Sequence, residues 1–121
     1  MKGKIFVIED DQPILDMMEL MISKLGYEPV LVSHAPESLE MIRQAPPVLI
    51  LLDVMMAPMN GWEILEWLRK DKISREIPVI LFTAAPSVNE KMAQMKDPHL
   101  GMLQKPVSFT QLKAEIERFL A

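Results

Sequence analysis

Five short runs of aliphatic and β-branched residues alternate with longer stretches of mixed polarity along the chain. The runs lie near residues 4–8, 29–32, 48–52, 78–82 and 101–104. Runs of this length, bounded by glycine, proline or polar residues, predict β-strands. The third run contains no polar residue, which is typical of a central strand that helices cover on both faces.

The stretches between the runs show helical periodicity. Between Ile14 and Leu25 apolar residues recur at helical spacing, and Gly26 then supplies a stop. A shorter helix is predicted at 36–44. Asn60 is a residue type that caps helices well, and it is predicted to begin a third helix.

The last two helical stretches differ in how clearly they are marked. Ser108 and Gln111 have the spacing of a capping box, which predicts the start of a final helix. The segment 86–98 is bracketed by Pro86 and Pro98 and is only weakly amphipathic. It predicts a short or mobile helix.

The third helix is predicted to direct its charged residues outward. These are Glu63, Glu66, Arg69 and Lys70. Trp67 lies among them, and two interpretations stay open: an exposed anchor for a partner, or partial burial against a neighbouring loop. The 11 methionines are predicted mainly to fill gaps in the core, although a methionine-rich binding surface is the alternative.

Each predicted strand is followed by a helix, and this alternation determines the fold class. Strand–helix–strand units join parallel strands by right-handed crossovers, so the helices lie on both faces of the sheet. The prediction is therefore an α/β protein with a doubly wound, five-stranded parallel sheet. A chain of 121 residues suits one domain.

Composition excludes several classes of function. The formal net charge of -4 at pH 7 argues against non-specific nucleic-acid binding, which needs a basic face. Cysteine is absent, which excludes disulfides and thiolate metal sites. No apolar run approaches the roughly 18 residues of a membrane span, and the first residues do not resemble a signal peptide. We therefore expect a cytoplasmic protein without direct contact to nucleic acid or membrane.

Polar residues stand at the carboxyl ends of four predicted strands. They are Glu9 and Asp10 after the first run, Asp53 after the third, Thr83 after the fourth and Lys105 after the fifth. A buried, unpaired carboxylate costs several kcal/mol, so a purely structural role does not explain Asp53. The carboxyl ends of parallel strands converge on the crevice where open α/β sheets bind ligands. A functional site is predicted there.

Four motifs mark these strand ends in order along the chain: Glu9-Asp10-Asp11, Leu51-Leu52-Asp53 with the following Met59-Asn60-Gly61, Pro78-Val79-Ile80-Leu81-Phe82-Thr83-Ala84, and Lys105-Pro106. Each alone is weak, but together they resemble the receiver domain of two-component response regulators. The resemblance covers the whole chain. It implies a flavodoxin-like (βα)5 sandwich that forms a single receiver domain over residues 1–121, with no effector domain.

Three carboxylates at one strand edge indicate a metal site. Without a cation, repulsion among Glu9, Asp10 and Asp53 raises the pKa of at least one of them. Mg²⁺ prefers oxygen ligands and usually keeps several waters, so Asp10, Asp53 and a backbone carbonyl can hold it, with Glu9 acting through water. The resemblance implies that this carbonyl belongs to Met55. Mn²⁺ is expected to substitute for Mg²⁺.

The resemblance also assigns the phosphoryl chemistry. It implies that Asp53 is the phosphoacceptor and forms an aspartyl phosphate. Lys105 is then expected to place a positive charge on one phosphoryl oxygen and Thr83 a hydroxyl on another. A cis Lys105–Pro106 peptide bond is also expected. The domain is predicted not to be an enzyme, beyond slow loss of its own phosphate.

Three departures from the family pattern change these expectations. Met102 stands where the family has a switch aromatic, so the usual coupling of Thr83 to a ring is expected to be weaker or carried by another element. Ala57 precedes the proline of the loop after Asp53, which predicts a different loop shape. Met55 and Ala85 replace polar residues that orient an attacking water, which predicts slow hydrolysis of the phosphate.

These features predict a stand-alone receiver that takes a phosphoryl group from a sensor histidine kinase or a histidine phosphotransfer protein. Phosphorylation would then change the affinity of the helix 4, strand 5 and helix 5 surface for a downstream protein. One alternative is a phosphorylation-independent pseudo-receiver that acts as an interaction module. Another is a Mg²⁺-dependent phosphohydrolase, disfavoured because Met55 occupies the general-acid position. The last helix lacks an arginine-rich surface, which favours a monomer or weak dimer.

Overall fold

A computed structural model describes residues 2–84 and 88–120, which form five strands and five helices in strict alternation. The strands are β1 Lys4–Ile8, β2 Glu28–Val32, β3 Leu49–Asp53, β4 Val79–Thr83 and β5 Leu100–Gln104. The helices are α1 Gln12–Lys24, α2 Ala35–Gln44, α3 Gly61–Lys70, α4 Val88–Met95 and α5 Phe109–Leu120. Element types and order agree with the sequence pattern.

The strands form one parallel sheet in the order β2-β1-β3-β4-β5. The predicted doubly wound α/β fold is therefore confirmed. All five residues of β3 and of β4 are buried, as expected for inner strands with helices on both faces. The order reverses between β1 and β3, so the crevice at their carboxyl ends is the switch point at which such sheets bind ligands.

Each face of the sheet has its own apolar core. On one face, Ile50 of β3 lies in the same buried cluster as Leu65 of α3. On the other face, Leu51 lies in a cluster with Met18 of α1 and Leu112 of α5. Full burial of such a side chain contributes about 1.5–3 kcal/mol, so the two clusters hold the sheet between its helices.

Local signals in the sequence set several helix ends. Asn60 and Glu63 form a reciprocal capping box at the start of α3. Ser108 and Gln111 form another before α5, with the Gln111 N–H donating to Ser108 Oγ over 3.1 Å. Gly26 has a φ of 93°, which is the left-handed conformation that glycine adopts beyond a helix end. All three predictions are confirmed.

The weakly amphipathic segment contains a short helix, α4, which ends at Met95. The prediction of a short helix in 86–98 is thus confirmed, while Ala85 and Pro86 lie outside the described residues. None of the helices in residues 2–84 and 88–120 combines the length and the apolar character that a membrane span requires.

Arg69 corrects the predicted outward face of α3. Its side chain is only 18% exposed, and its Nε donates to Asp97 Oδ2 over 2.6 Å. Its terminal nitrogens donate to the carbonyl oxygens of Ile77, over 2.9 Å, and His99, over 3.0 Å. The helical pattern missed this role because these acceptors come from distant segments. Trp67 is partly buried, as the second of its two interpretations expected, but it packs against the core cluster on the α3 face.

Arg69→Ala is expected to lower the free energy of unfolding by about 2–4 kcal/mol, because it removes the charged partner of the part-buried Asp97 carboxylate and a donor to the Ile77 and His99 carbonyl oxygens. Lys70→Ala is the matched control in the same helical turn, since its ion pair within the described residues is with exposed Glu66 and solvent screens such a pair. Urea unfolding of both variants measures the difference. Equal decreases in the free energy of unfolding of the two variants would contradict the proposed contribution of Arg69 to stability.

Candidate functional site

The carboxyl edge of the sheet gathers the polar residues that end its inner strands. Glu9 and Asp10 follow β1, Asp53 ends β3 and Thr83 ends β4. The register pairs Ile8 with Leu52 in β3, and Asp53 with Phe82, so these strand ends lie level. The topology therefore brings together side chains that are far apart in the sequence.

Three carboxylates form the centre of this edge. Carboxylate oxygens of Glu9, Asp10 and Asp53 all lie within 4.8 Å of one another. Glu9 and Asp53 are almost fully buried, at 1% and 2% exposure, whereas Asp10 is exposed. The predicted acidic cluster is thus assembled from two strands, with one carboxylate facing solvent and two facing the protein interior.

Lys105 reaches the two buried carboxylates. Its Nζ lies 3.3 Å from Glu9 Oε2 and 3.4 Å from Asp53 Oδ1. The Lys105 backbone N–H donates to the Thr83 carbonyl oxygen over 2.9 Å, which ties the loop after β5 to the end of β4. The Lys105–Pro106 peptide bond is cis, as expected. One ammonium group against three carboxylates leaves an excess of negative charge at the site.

Burial and the neighbouring Asp53 carboxylate raise the pKa of Glu9. Desolvation is the largest cause, followed by a hydrogen bond to Asp53 and the charge of Asp53, and together they raise the Glu9 pKa from 4.5 to about 7. The Asp11 N–H, which donates to Glu9 Oε1 over 3.1 Å, and the charge of Lys105 act in the opposite direction. Burial beside Asp53 thus makes the charged form of Glu9 costly.

The loop after β3 is held close to Asp53. The Met55 N–H donates to Asp53 Oδ1 over 3.2 Å, while the Met55 side chain is 70% exposed. Gly61 begins α3 directly against the Asp53 carbonyl oxygen, and a Cβ at this position would collide with it. The Asn60-Gly61 motif in the sequence was a signal for this close contact between α3 and Asp53, but the sequence analysis assigned no role to the glycine. The Ala57–Pro58 bond of this loop is cis.

Thr83 and Met102, the residues that the resemblance assigned to a switch, lie on neighbouring strands. Thr83 is 1% exposed at the end of β4, and it has interactions within the protein. Met102 pairs with Leu81 across β4 and β5, so it lies on the sheet face that Leu81 and Thr83 share. It is half-buried against the α3 face of the core. Ala85, the other predicted determinant of hydrolysis, lies outside the described residues.

The donor set suits a hard divalent cation. Carboxylate oxygens from Glu9, Asp10 and Asp53 converge, and such oxygens are the ligands that Mg²⁺ prefers. Asp10, Met55 and Asn60 also border an open cavity of about 470 Å³, which leaves room for water and for a small anionic group beside the cluster. The sequence-predicted residues thus form one site at one edge of the sheet.

An acidic pocket with a single lysine, at the switch point of a five-stranded parallel sheet, defines a class of phosphoacceptor-type α/β domain. Comparison with known families identifies this class: residues 5–117 match the response regulator receiver domain. The chain therefore belongs to the receiver-domain family of two-component signalling. Receiver domains of this family bind Mg²⁺ at such an acidic pocket.

Individual relatives agree with this assignment. The chain is 34% identical over 113 residues to the transcriptional regulatory protein HprR of Escherichia coli K12, covering 93% of this chain and 49% of that protein. It is 37% identical, with a TM-score of 0.79, to the N-terminal domain of a response regulator receiver protein from Methanoculleus marisnigri, covering 98% and 97% of the two chains. The Vibrio cholerae chemotaxis protein CheY4 shares the fold, with 24% identity, a TM-score of 0.88 and 98% coverage of both chains.

The curated relatives are longer than this chain, which spans about half the length of those it matches. Several are named as transcriptional regulators. This conflicts in part with the expectation of no nucleic-acid contact, although the match concerns the receiver portion alone. The activity of a whole regulator does not follow from that portion.

In metal-free protein, Glu9→Gln is expected to stabilise the fold by about 1–3 kcal/mol at pH 8, since one pKa unit corresponds to about 1.4 kcal/mol. A raised folded-state pKa favours folding below the unfolded value of 4.5 and loses that contribution as the pH rises through about 7. The gain should therefore shrink towards pH 5. Thermal unfolding with chelator across this range measures it. Glu66→Gln is the control because Glu66 is exposed and Lys70 lowers its pKa, and it should not stabilise.

Proposed function

We propose that this domain accepts a phosphoryl group on Asp53 from a phosphohistidine of a sensor histidine kinase or histidine phosphotransfer protein. The observation that carries the proposal is the position of Lys105 Nζ, 3.4 Å from Asp53 Oδ1, beside the cluster of three carboxylates. A buried acceptor with a cation at hand and an adjacent metal site is what phosphoryl transfer to a carboxylate needs.

In the proposed step, a carboxylate oxygen of Asp53 attacks phosphorus, the new O–P bond forms and the N–P bond to the donor histidine breaks. Lys105 moves from its carboxylate partners to a phosphoryl oxygen and balances its charge, while Thr83 donates its hydroxyl to another. Glu9, Asp10, Asp53 and the Met55 carbonyl are proposed to hold Mg²⁺, or Mn²⁺ in its place. When bound, the cation supplies charge neutralisation and orients the phosphoryl group.

The Glu9–Asp53–Lys105 contacts support this division of roles. Lys105 already neutralises part of the negative charge, and its side chain is 23% exposed, so it can shift towards a group that arrives from solvent. Glu9 is almost fully buried and contacts Asp53, Lys105 and the Asp11 N–H, which suits a role behind the metal, through water. Asp10 is exposed and accessible to direct coordination.

We further propose that phosphorylation changes the affinity of the α4, β5 and α5 surface for a downstream protein. Met102 lies on β5, within this surface, and a thioether fills the position of a rotating ring. The switch is then carried by packing changes at Met102 and by the α4 segment. As a receiver, the domain is proposed to act in the cytoplasm as a monomer or weak dimer, without contacting nucleic acid itself. It turns over no substrate other than its own phosphate.

Met102 also supports a second candidate, the phosphorylation-independent pseudo-receiver. In that case the domain binds its partner in one conformation and the acidic site is a remnant. Uptake of phosphate from a small donor separates the two functions, because the pseudo-receiver requires none.

Asp53→Asn is expected to abolish phosphorylation completely. Wild-type protein incubated with acetyl phosphate and Mg²⁺ should gain one phosphoryl group, about 80 Da, because Asp53 supplies the nucleophile. Intact-mass spectrometry measures the adduct, and Asp16→Asn is the control for a general effect of losing one exposed carboxylate. An adduct on the Asp53 variant would place the acceptor elsewhere. No adduct on wild type that binds Mg²⁺ would favour the pseudo-receiver.

The aspartyl phosphate is expected to persist for tens of minutes or longer after the donor is removed. Met55 and Ala85 offer no polar side chain to orient an attacking water, so the barrier should remain about as high as without assistance. The decay of the mass adduct at pH 7 with Mg²⁺ measures its lifetime. A lifetime of seconds in the absence of a phosphatase would contradict this expectation.

A further inference from the structure

Met55 differs from the other methionines in its accessibility. Among the methionines whose side chains the structure describes, Met55 is 70% exposed, Met95 is 38% exposed, and the remainder are buried or half-buried. Met18, for example, is completely buried against the sheet. Oxidation of a thioether requires contact between sulfur and the oxidant, so exposure makes Met55 the most susceptible of this set.

The same residue is fixed beside the proposed phosphoacceptor. Its N–H donates to Asp53 Oδ1 over 3.2 Å, so a movement of this loop changes a hydrogen bond of the carboxylate. Its side chain borders the open cavity that Asp10 and Asn60 also line. Asp10 in turn has a carboxylate oxygen within 4.8 Å of one from Asp53. A change in the polarity of Met55 is therefore made beside an open cavity that adjoins the carboxylate cluster.

We propose that Met55 is a site of reversible oxidation by hydrogen peroxide or organic hydroperoxides, and that its sulfoxide shortens the lifetime of the phosphate on Asp53. The regulation rests on the proposed function of the domain. In the oxidation step the sulfur lone pair attacks a peroxide oxygen, an S–O bond forms and the O–O bond breaks. The sulfur loses two electrons, and the peroxide is reduced to water or to the corresponding alcohol.

The sulfoxide acts through water. A thioether sulfur is a weak hydrogen-bond acceptor, whereas a sulfoxide oxygen is strongly polar and accepts readily. A water that donates to this oxygen is held at the open side of the aspartyl phosphate, where it can attack phosphorus in line with the Asp53 oxygen. Met55 is thus a positioning residue. Its thioether does not orient the attacking water, whereas its sulfoxide does.

The test follows decay of the phosphate with and without peroxide. Wild-type protein is treated with hydrogen peroxide, phosphorylated with acetyl phosphate and Mg²⁺, freed of donor, and followed by intact mass, while peptide mapping gives the oxidised fraction of each methionine. Met55 should oxidise at least about tenfold faster than buried Met18. Decay should become about threefold faster or more once Met55 is oxidised, which is well below the roughly 10²–10⁴-fold that a positioned acid or base provides.

Three comparisons separate this mechanism from general damage. Met55→Leu should remove the effect of peroxide on the decay rate, while Met95→Leu should retain it, because Met95 lies at the end of α4 near the opposite edge of the sheet. Met55→Gln places a carbonyl oxygen at similar reach and should hasten decay without peroxide. A thiol-dependent methionine sulfoxide reductase should restore the slow decay of the oxidised wild type.

The possible results are distinguishable. A phosphoryl adduct whose decay is unchanged after full oxidation of Met55 would overturn the regulation and leave the proposed function intact. A peroxide effect that persists in Met55→Leu would also overturn it, as would equal oxidation rates for Met55 and Met18. Absence of any adduct on untreated wild type would overturn the proposed function and the regulation together.

Discussion

Burial of the Glu9 and Asp53 carboxylates at the rim of an apolar sheet is the costly feature on which the rest of this site depends. Each ionised carboxylate loses solvation there, and the two repel each other. Compensation comes from single donors that different segments supply: Lys105 Nζ, the Asp11 N–H and the Met55 N–H. The segments that contain Asp11, Met55 and Lys105 are therefore each in contact with one of these carboxylates.

These donors offset the cost of the two buried carboxylates only in part, and the pKa of Glu9 is therefore raised to about 7. A fully neutralised cluster would be stable but would have no affinity for a divalent cation or for a phosphoryl group beside it. The remaining negative charge favours a divalent cation at this edge, and under the proposed function Lys105 supplies the positive charge for a phosphoryl oxygen. Stability and function are thus opposed at the same atoms.

At the opposite edge of the sheet, where the strands begin, the charges are paired instead. Arg69 pairs with Asp97 and donates to carbonyl oxygens before β4 and β5, so the charges there are matched and partly shielded from water. This arrangement fixes the start of the strands whose far ends carry Thr83 and Lys105. At the carboxyl edge, by contrast, the loop after β3 is partly or fully exposed at residues 55–58. The exposed Met55 side chain belongs to that second, accessible region.

Local patterns in the sequence were enough for the element types, their order and the capping residues Asn60 and Ser108, because apolar periodicity and capping act over a few residues. The carboxyl-edge site was also predictable, since parallel strands bring their ends together regardless of detail. The partners of Arg69 and the collision site at Gly61 were not, and neither were the distances from Lys105 to the two carboxylates. Those contacts join different elements of the fold, which local patterns in the sequence do not relate to one another. The sequence by itself therefore determined which residues meet at this edge, and only the tertiary structure decided which of them are buried, which are shielded by a donor and which face water.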